Sequence, residues 1–376
     1  MWVQFARFLK WAYFRAIMSF QISINKTKQS RINEFNPEKI EFGKLFTDHM
    51  VVCDYKDGKW GNPEIVPFGD IPIPPGLSAL HYGQSIFEGL KVFKSQNNDA
   101  VVFRAEQNAA RFNKSAHRMA MPEFPEDLFV QCVHALVDID RAWISSADGA
   151  SLYIRPFMFA TDWTLGIKVS ETYKFMMYGC PAGLYYSHPV KVYIDRYHVR
   201  SVRGGVGAAK CAGNYAASLY PAKVAKERGF DQNLWIDAVE LKYLEETGTS
   251  NVFLRKGNTI YTPALSDSIL AGITRDSVIH LLKDMGYEVI EGSISIDDLI
   301  QWHTEGSLDE MFVTGTAVSV ANIQLVGIDD KIYKLDLTKE LVAEKVKTEL
   351  NNIRTLKSPD KYGWTKIVQP NQSAQF

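Results

Sequence analysis

The chain has 376 residues, more than a single hydrophobic core usually serves, so two domains are predicted. Its 42 basic and 43 acidic residues give a net charge of −1, so the chain lacks the excess of positive charge that is typical of nucleic-acid-binding proteins. The four cysteines (Cys53, Cys132, Cys180 and Cys211) form no C-x-x-C pair, so their spacing argues against a metal site and a disulfide framework. Unpaired cysteines are typical of a reducing compartment, and we expect a cytoplasmic location.

The first 17 residues mix aromatic side chains with Arg7, Lys10 and Arg15 and contain no acidic residue. These charges interrupt the apolar run, so the segment cannot span a bilayer, and it lacks the small-residue cleavage site of a secretory signal. A transit peptide and an interfacial helix are alternatives, and we favour a true start at Met18. Because residues 19–45 are polar and lack apolar periodicity, residues 1–45 are expected to form an N-terminal arm. No later stretch approaches membrane-spanning length, and no membrane partner is expected.

Residues 46–180 are predicted to form a smaller α/β domain. Alternating runs between residues 46 and 75, separated by K-D-G-K and G-D, indicate antiparallel strands joined by hairpins. Apolar residues recur at spacings of three and four over residues 105–121 and 126–144, which predicts two helices. Further strands are predicted at residues 100–104, 151–159 and 173–180.

Residues 181–190 combine Pro, Gly and Ser and are predicted to connect the domains, with residues 191–376 forming the larger one. Helices are predicted in this half at residues 215–228, 270–285, 296–302 and 339–356. Strands are predicted at residues 190–197, 233–238, 251–255, 259–262, 287–293 and 311–314. Strands and helices mix without regular βαβ alternation, which favours an α+β, or irregular mixed α/β, architecture.

The most distinctive stretch is R-G-G-V-G-A-A-K-C-A-G-N-Y, residues 203–215. Gly204, Gly205 and Gly207 allow positive φ angles or a close backbone approach to a ligand. Small apolar neighbours reduce the hydration of the Lys210 ammonium and so favour its neutral amine. A neutral amine is a nucleophile that can form a Schiff base with an aldehyde cofactor such as pyridoxal phosphate. Taken alone, such a stretch is more often a loop whose lysine reaches solvent.

A pyridoxal phosphate enzyme also needs an acid at the ring nitrogen, a phosphate cradle and a clamp for the substrate carboxylate. Glu246 precedes a Thr-Gly-Thr turn and is the candidate acid, although adjacent acids such as Glu245 and Glu246 are usually solvated. The turns T-G-T-S (247–250), A-G-I-T-R (271–275) and T-G-T-A (314–317) could each bind an anion. The middle turn opens a predicted helix, whose N-terminus suits a phosphate.

Two arginines are candidates for binding phosphate or carboxylate, and each could equally form a surface ion pair. Arg111 lies in a predicted helix, and Arg155 shares one face of a predicted strand with Tyr153 because side chains alternate. Tyr82, Phe87 and Tyr153 could line an apolar pocket or belong to ordinary core.

Six motifs resemble those of one family, and they occur in the same order between about residues 45 and 365. They are H-Y-G-Q-S-I-F-E-G-L-K-V-F (81–93), L-Y-I-R-P (152–156), G-G-V-G-A-A-K-C-A-G-N-Y (204–215), E-T-G-T-S-N-V-F (246–253), L-A-G-I-T-R-D-S (270–277) and T-G-T-A (314–317). Together they are similar to the branched-chain amino-acid aminotransferases, which are fold-type IV pyridoxal phosphate enzymes. Animal members carry a C-x-x-C pair just after T-G-T-A, whereas this chain has V-S-V-A, so a thiol switch is excluded there.

The resemblance implies a role for each candidate residue. Lys210 would bind the cofactor as a Schiff base and shuttle the proton, Tyr215 would hydrogen-bond the ring hydroxyl and Glu246 the ring nitrogen. The phosphate would be held by Arg111, Ile273, Thr274 and, as an assistant, Thr316. The substrate carboxylate would be received by Thr249, Thr316 and Ala317, and the substrate side would be lined by Tyr82, Phe87, Tyr153 and Arg155.

The resemblance also implies the reaction, in which leucine, isoleucine and valine exchange their amino group with 2-oxoglutarate to give branched-chain 2-oxo acids and glutamate. It implies a homodimer or higher homo-oligomer with active sites near the subunit interface. The same set of Lys210, Tyr215 and Glu246 would also serve a D-amino-acid or R-amine transaminase, or an aminodeoxychorismate lyase. A non-catalytic binding protein on this scaffold is the alternative from another class, and the intact set argues against it.

Overall fold

The computed structural model describes residues 20–370, so the predictions for residues 1–17 lie outside the described residues. The first nine strands are β1 (Ser23–Ile24), β2 (His49–Lys56), β3 (Lys59–Trp60), β4 (Glu64–Pro67), β5 (Ser85–Phe87), β6 (Leu90–Lys94), β7 (Ala100–Phe103), β8 (Ser151–Ala160) and β9 (Tyr173–Ala182). The others are β10 (Val190–Ile194), β11 (Gln232–Ile236), β12 (Leu244–Thr247), β13 (Asn251–Lys256), β14 (Thr259–Pro263), β15 (Glu288–Gly292), β16 (Glu310–Gly315), β17 (Ser319–Ile328), β18 (Lys331–Lys334) and β19 (Thr365–Val368). The α-helices are α1 (Ser78–Tyr82), α2 (Ala105–Arg118), α3 (Glu126–Ile139), α4 (Ala212–Glu227), α5 (Ile273–Asp284), α6 (Ile296–Thr304) and α7 (Val342–Arg354).

The strands form two mixed sheets. The first has the order β1-β4-β2-β9-β8-β6-β7-β19, with β3 beside β2 and β5 beside β8. The second has the order β12-β11-β10-β17-β16-β13-β14-β15, with β18 beside β17. Most neighbours are antiparallel, but β1 with β4, β10 with both β11 and β17, and β14 with β15 are parallel. This pattern differs from a regular βαβ fold, in which every neighbouring pair would be parallel.

The first sheet packs against α2 and α3. Phe112 of α2 and Phe129 of α3 contact the Phe175 ring of β9, with centroids 5.7 and 6.0 Å apart. Each fully buried aromatic side chain of this kind stabilises the fold by roughly 1.5–3 kcal/mol. Because β9 pairs with β8 along its whole length, from Ser151↔Ala182 to Ala160↔Tyr173, this core also fixes β8.

The second sheet is covered by α5 and α7. Val278 and Leu282 are four residues apart on α5 and lie in one buried cluster with Leu350 of α7. The cluster includes the stacked rings of Phe253 and Phe312, whose centroids are 5.0 Å apart. This packing anchors α5, so that its N-terminal turn has a fixed position at the end of the sheet.

Some elements differ from the predictions. The helix predicted to run to residue 144 ends at Ile139, and a short 3-10 turn follows at Arg141–Trp143. The strand β17 was not predicted, yet it pairs with β10, β16 and β18. Within residues 20–370, no helix is both long and apolar enough to cross a membrane.

The predicted division into domains at residues 181–190 stays a prediction. The chain passes from the first sheet to the second within this stretch. The strands β1 to β9 lie in the first sheet and β10 to β18 in the second. The last strand, β19, returns to the first sheet and pairs with β7, with Thr365 opposite Phe103. Residues 20–45 also take part, because β1 pairs with β4 and Phe35 packs against the first core.

Candidate active site

A cavity of about 320 Å³ is lined by residues from both sheets. All the predicted site residues except Tyr82 line it, namely Phe87, Arg111, Tyr153, Arg155, Lys210, Tyr215, Glu246, Thr249, Ile273, Thr274, Thr316 and Ala317. These residues are widely separated in the sequence. The fold therefore brings together side chains that the sequence presents in separate motifs.

Lys210 lies just before α4 and is held at both its backbone and its side chain. Its backbone N–H donates to the Ser115 hydroxyl at 2.9 Å, and its carbonyl accepts from the Phe87 N–H at 3.0 Å. Its Nζ atom donates to the Tyr215 hydroxyl at 2.8 Å and lies 4.7 Å from the centre of the Phe87 ring. The amine is therefore directed into the cavity by a phenol and an aromatic face.

The glycines before Lys210 serve the packing of their own loop. A Cβ on Gly207 would lie 2.6 Å from the Ser268 Cα atom and would collide with Ser201. Gly204 has a φ of +74°, which side chains other than glycine rarely adopt. Gly207 therefore packs closely against protein backbone on one side, and it also lines the active-site cavity. The expectation that these glycines let the backbone approach a ligand stays a prediction.

Glu246 is buried on β12 and contacts three groups that the sequence did not reveal as its partners. Its Oε1 atom lies 2.6 Å from Nη2 of Arg200 and accepts from the Leu270 N–H at 3.1 Å. Its Oε2 atom accepts from the Asn251 amide at 3.1 Å. Burial raises the pKa of Glu246 to about 7, against the opposing effect of the Arg200 charge.

A second buried glutamate, Glu88, holds Arg111. The arginine donates from Nε to Oε1 at 2.7 Å and from Nη2 to Oε2 at 2.9 Å. Glu88 also accepts from Asn108 at 2.7 Å and from the Gly89 N–H at 3.0 Å. Burial alone would raise the pKa of Glu88, but the Arg111 charge and these hydrogen bonds lower it overall. Arg111 is thereby fixed at the cavity wall, where Nη1 donates to the Ala271 carbonyl at 3.0 Å.

An anion cradle lies beside Arg111, where α5 begins. Gly272 precedes the helix and gives it no side-chain cap, so the first N–H groups at Ile273 and Thr274 are available to a ligand. A Cβ on Gly272 would collide with the Asn251 side chain, so only glycine fits between the helix and β13. The free N–H groups, the helix dipole and the guanidinium together suit a phosphate dianion.

The opposite wall is formed by the turn after β16. A Cβ on Gly315 would lie 2.9 Å from the Thr249 carbonyl oxygen, so the two threonine-rich turns meet closely at the cavity. The buried Thr314 hydroxyl lines this wall and has no hydrogen-bond partner within residues 20–370. An unpaired buried hydroxyl in a cavity indicates that a polar ligand completes the site.

The substrate side is formed by β8 and by aromatic side chains. Nη2 of Arg155 donates to the Tyr153 hydroxyl at 3.3 Å, and its guanidinium lies 4.8 Å from the centre of the Phe87 ring. Phe42, which sequence analysis assigned to the arm, stands edge-on against Tyr153 with ring centres 5.1 Å apart. Tyr185 lies 5.9 Å from Phe42 and lines the same cavity. No motif drew attention to Phe42 or Tyr185.

Tyr82 lies apart from this cavity. It ends α1, is 42% exposed, and donates its hydroxyl to the Leu165 carbonyl. The described part of the chain therefore offers no contact between Tyr82 and the other site residues, and its predicted substrate role stays a prediction. Across residues 20–370, no group of three or more His, Cys, Asp or Glu side chains is arranged to hold a metal ion.

Comparison with known proteins identifies the class. A model of the class IV amino-transferase family matches residues 85–326, which include all but one of the predicted site residues. A curated relative, branched-chain-amino-acid aminotransferase 2 of Bacillus subtilis, is 41% identical over 93% of this chain and 97% of its own length. The branched-chain-amino-acid aminotransferase of Mycobacterium tuberculosis is 40% identical over 86% of this chain and 90% of its own.

Solved structures agree with the sequence relatives. The branched-chain amino acid aminotransferase of Escherichia coli matches with a TM-score of 0.72 at 25% identity, covering 86% of this chain and 99% of that one. The T.th. branched-chain amino acid aminotransferase, complexed with N-(5'-phosphopyridoxyl)-L-glutamate, matches with a TM-score of 0.69 at 27% identity, covering 84% and 98%. The chain therefore belongs to the branched-chain-amino-acid aminotransferase family of class IV aminotransferases. The predicted family, enzyme class and mixed α/β fold are confirmed.

Proposed function

We propose that the chain transfers the amino group of L-leucine, L-isoleucine or L-valine to 2-oxoglutarate, with pyridoxal 5'-phosphate as its cofactor. The observation that carries the proposal is the 2.8 Å contact between the Lys210 amine and the Tyr215 hydroxyl, in a cavity that also contains Glu246 and an anion cradle. Relatives at about 40% identity over most of their length carry the corresponding name.

The cavity residues fit this cofactor. Arg111, with the N-terminal turn of α5 at Ile273 and Thr274, would hold the phosphate, and Thr316 would assist from the facing turn. Tyr215 would donate to the ring hydroxyl, and Glu246 would bind the ring nitrogen. When bound, the cofactor supplies an electron sink for the negative charge that develops at the substrate Cα atom.

Lys210 carries the proton transfer. Its Nζ atom would take the proton from the substrate Cα and deliver it to the cofactor carbon on the other side of the transferred nitrogen, because it is the amine that faces the cavity. Tyr215 and the Phe87 ring restrict its position from two sides. The backbone bonds to Ser115 and Phe87 keep this geometry through the cycle.

Both an aliphatic and an acidic side chain must fit one pocket, and the wall formed by Tyr153 and Arg155 suits this requirement. The guanidinium lies over the Phe87 and Tyr153 rings, so an aliphatic side chain would meet these rings and the flat, weakly hydrated face of the cation. The same group can bind the second carboxylate of glutamate through its N–H donors. Thr249, Thr316 and Ala317 would receive the carboxylate that both substrates share.

The assembly is proposed to be a homodimer in the cytoplasm. An exposed apolar segment supports an interface, since Trp163 and Ile167 are 75% and 87% exposed and Leu165 lies between them. We assign Tyr82 to this surface through its hydrogen bond to Leu165, and from there it would line the active-site cavity of the partner subunit.

Four buried, unpaired cysteines support a reducing compartment. Light scattering of the purified protein would measure the mass of the assembly.

The variant Lys210→Ala tests the proposed reaction. We expect turnover with L-leucine and 2-oxoglutarate to disappear, and borohydride treatment to leave no cofactor mass on the peptide that contains position 210. Lys223→Ala on the exposed face of α4 is the matched control and should keep both signals. A Lys210→Ala protein with normal turnover would refute the assignment. Activity with D-alanine or aminodeoxychorismate in place of L-leucine would redirect it to the related reactions of this fold.

A further inference from the structure

A second cavity, of about 570 Å³, lies behind the turn that joins β16 to β17. It shares Tyr185 and Ala317 with the active-site cavity, so the turn separates the two spaces. Five basic side chains line it, namely Lys91, Lys94, Lys347, Arg354 and Lys357. The acidic residues in its lining are Asp148 and Glu344. Glu344 is already engaged, by Asn322 at 2.8 Å and Lys347 at 3.5 Å.

Two of the basic side chains are buried without a carboxylate. Lys91 is 7% exposed and Arg354 is 3% exposed, and neither forms an ion pair with an acid in the described part of the chain. Burial lowers the pKa of Lys91 to about 7, and the nearby Arg354 charge acts in the same direction. The Phe93 and Phe103 rings face the guanidinium of Arg354 and compensate it in part. Because a guanidinium stays ionised in proteins, the cavity keeps an uncompensated positive charge.

We propose that this cavity is a binding site for a small oxyanion such as phosphate, with Lys91 and Arg354 as its buried ligands. Arg354 retains a buried Nε donor without a hydrogen-bond partner within residues 20–370, and an oxyanion would supply acceptors for this guanidinium. The hydroxyls of Ser145 and Thr348 line the same space and can complete the coordination of an oxyanion. A buried anion here would offset the cost of burying two like charges side by side.

The site is coupled to the turn between the cavities. Lys91 donates from Nζ to the Ala317 carbonyl at 2.9 Å, and Arg354 donates from Nη1 to the Ser319 hydroxyl at 2.8 Å. Ser319 has a φ of +62°, a left-handed conformation that a serine adopts only when its surroundings hold it. A bound anion competes for the donors that hold this turn and neutralises the charge behind it. Resting on the proposed function, in which Thr316 and Ala317 receive the substrate carboxylate, occupancy raises the KM for L-leucine.

Calorimetric titration of the cofactor-loaded protein with sodium phosphate, in a buffer free of other multivalent anions, tests the site. We expect binding that weakens about tenfold or more in Arg354→Met and in Lys91→Met, since each variant loses charge-assisted hydrogen bonds. Arg155→Met is the matched control, because Arg155 lines only the active-site cavity, and it should retain the affinity. No phosphate binding, or binding lost in Arg155→Met and kept in Arg354→Met, overturns the proposal.

Thermal denaturation gives a second measurement should either variant be unstable. Phosphate should raise the melting temperature of the native protein and of Arg155→Met, and raise those of Lys91→Met and Arg354→Lys by much less, each compared with the same variant without phosphate. Phosphate should also raise the KM for L-leucine in the native protein and not in Lys91→Met. Binding without any transaminase activity would overturn the proposed function and leave the anion site standing, whereas activity without binding would do the reverse.

Discussion

Two buried glutamate–arginine pairs adjoin the active-site cavity, through Arg111 in one pair and through both Arg200 and Glu246 in the other, and their carboxyl pKa values shift in opposite directions. Glu88 and Arg111 are joined at 2.7 Å, and Glu246 and Arg200 at 2.6 Å. Both carboxyls are nearly inaccessible to solvent. Even so, the pKa of Glu88 is lowered, whereas that of Glu246 is raised to about 7. The type of residue and its burial therefore do not decide the charge state.

The difference lies in how each arginine uses its donors. Arg111 donates to Glu88 through both Nε and Nη2, the two-point geometry in which such pairs are strongest. The Nη2 atom of Arg200 instead donates to the carbonyls of Gly207 and Ser268, and its Nε atom has no partner within residues 20–370. Glu246 thus lies close to the Arg200 charge but accepts two hydrogen bonds, from the Leu270 N–H and the Asn251 amide, whereas Glu88 accepts four. We infer that Glu88 is a structural counterion, whereas Glu246 is kept ready for a cationic partner in the cavity.

The largest effect should come from Glu88→Gln. Removing the charge leaves Arg111 buried without its partner and turns an amide N–H₂ towards donors from Asn108 and Gly89. We expect the free energy of unfolding to fall by about 3–5 kcal/mol, as measured by urea denaturation. Lys223→Ala removes an exposed ion pair with Glu227 and should cost less than about 1 kcal/mol. Equal losses in the two variants would remove the structural role of Glu88.

Glu246→Gln should act on catalysis instead. An amide cannot stabilise a cation in the cavity as a carboxylate does, so kcat for L-leucine should fall roughly 100- to 1000-fold. The affinity for pyridoxal phosphate should change far less, because the phosphate cradle is intact. Glu245→Gln, the neighbouring residue that bonds Ser268, should change kcat less than about tenfold. Equal losses of rate and cofactor affinity in Glu246→Gln would make this glutamate structural, like Glu88.

The pH dependence of stability should separate the pairs without any substrate. Because folding raises the pKa of Glu246 from 4.5 to about 7, its protonated carboxyl stabilises the folded protein fully below pH 4.5. This stability is lost as the pH rises to about 7. In the cofactor-free protein this loss should amount to about 3 kcal/mol, and Glu246→Gln should abolish it. The lowered pKa of Glu88 gives stability above 4.5, lost as the pH falls. Urea denaturation at a series of pH values from acidic to neutral would measure both changes in the free energy of unfolding. If this free energy stayed constant between pH 4.5 and about 7, the raised pKa of Glu246 would be contradicted.

One residue of each glutamate–arginine pair was predicted as a site residue from the sequence, namely Arg111 in the first pair and Glu246 in the second. Glu246, beside a Thr-Gly-Thr turn, and Arg111, in a predicted helix, were candidates from their local sequence, and the family resemblance supplied their roles. Arg200 lies far before Glu246 in the chain, and no local pattern links them. Glu88 was within reach, because it interrupts the apolar run I-F-E-G-L-K-V-F, where a charged side chain must find a buried partner.

Elements that depend on long-range pairing were also beyond sequence reasoning. The strand β17 carries Asn322 and Gln324 among its apolar residues, so it shows weak strand periodicity, and its place is set by pairing with β10 and β16. Phe42 gave no signal because the segment before residue 46 lacks periodicity. It reaches the cavity only because the chain folds back over β8, where its ring meets Tyr153.

The smallest effect should come from Phe42→Ala, which lies outside both pairs. Losing one aromatic wall contact should raise the KM for L-leucine about fivefold. The value of kcat and the pH dependence of stability should stay as in the native protein, because neither Glu88 nor Glu246 contacts this ring. Ile24→Ala, an exposed position earlier in the same segment, is the control and should leave KM unchanged. A fall in kcat equal to the rise in KM would mean that the aromatic wall also positions Lys210, since Phe87 touches both Arg155 and the lysine amine.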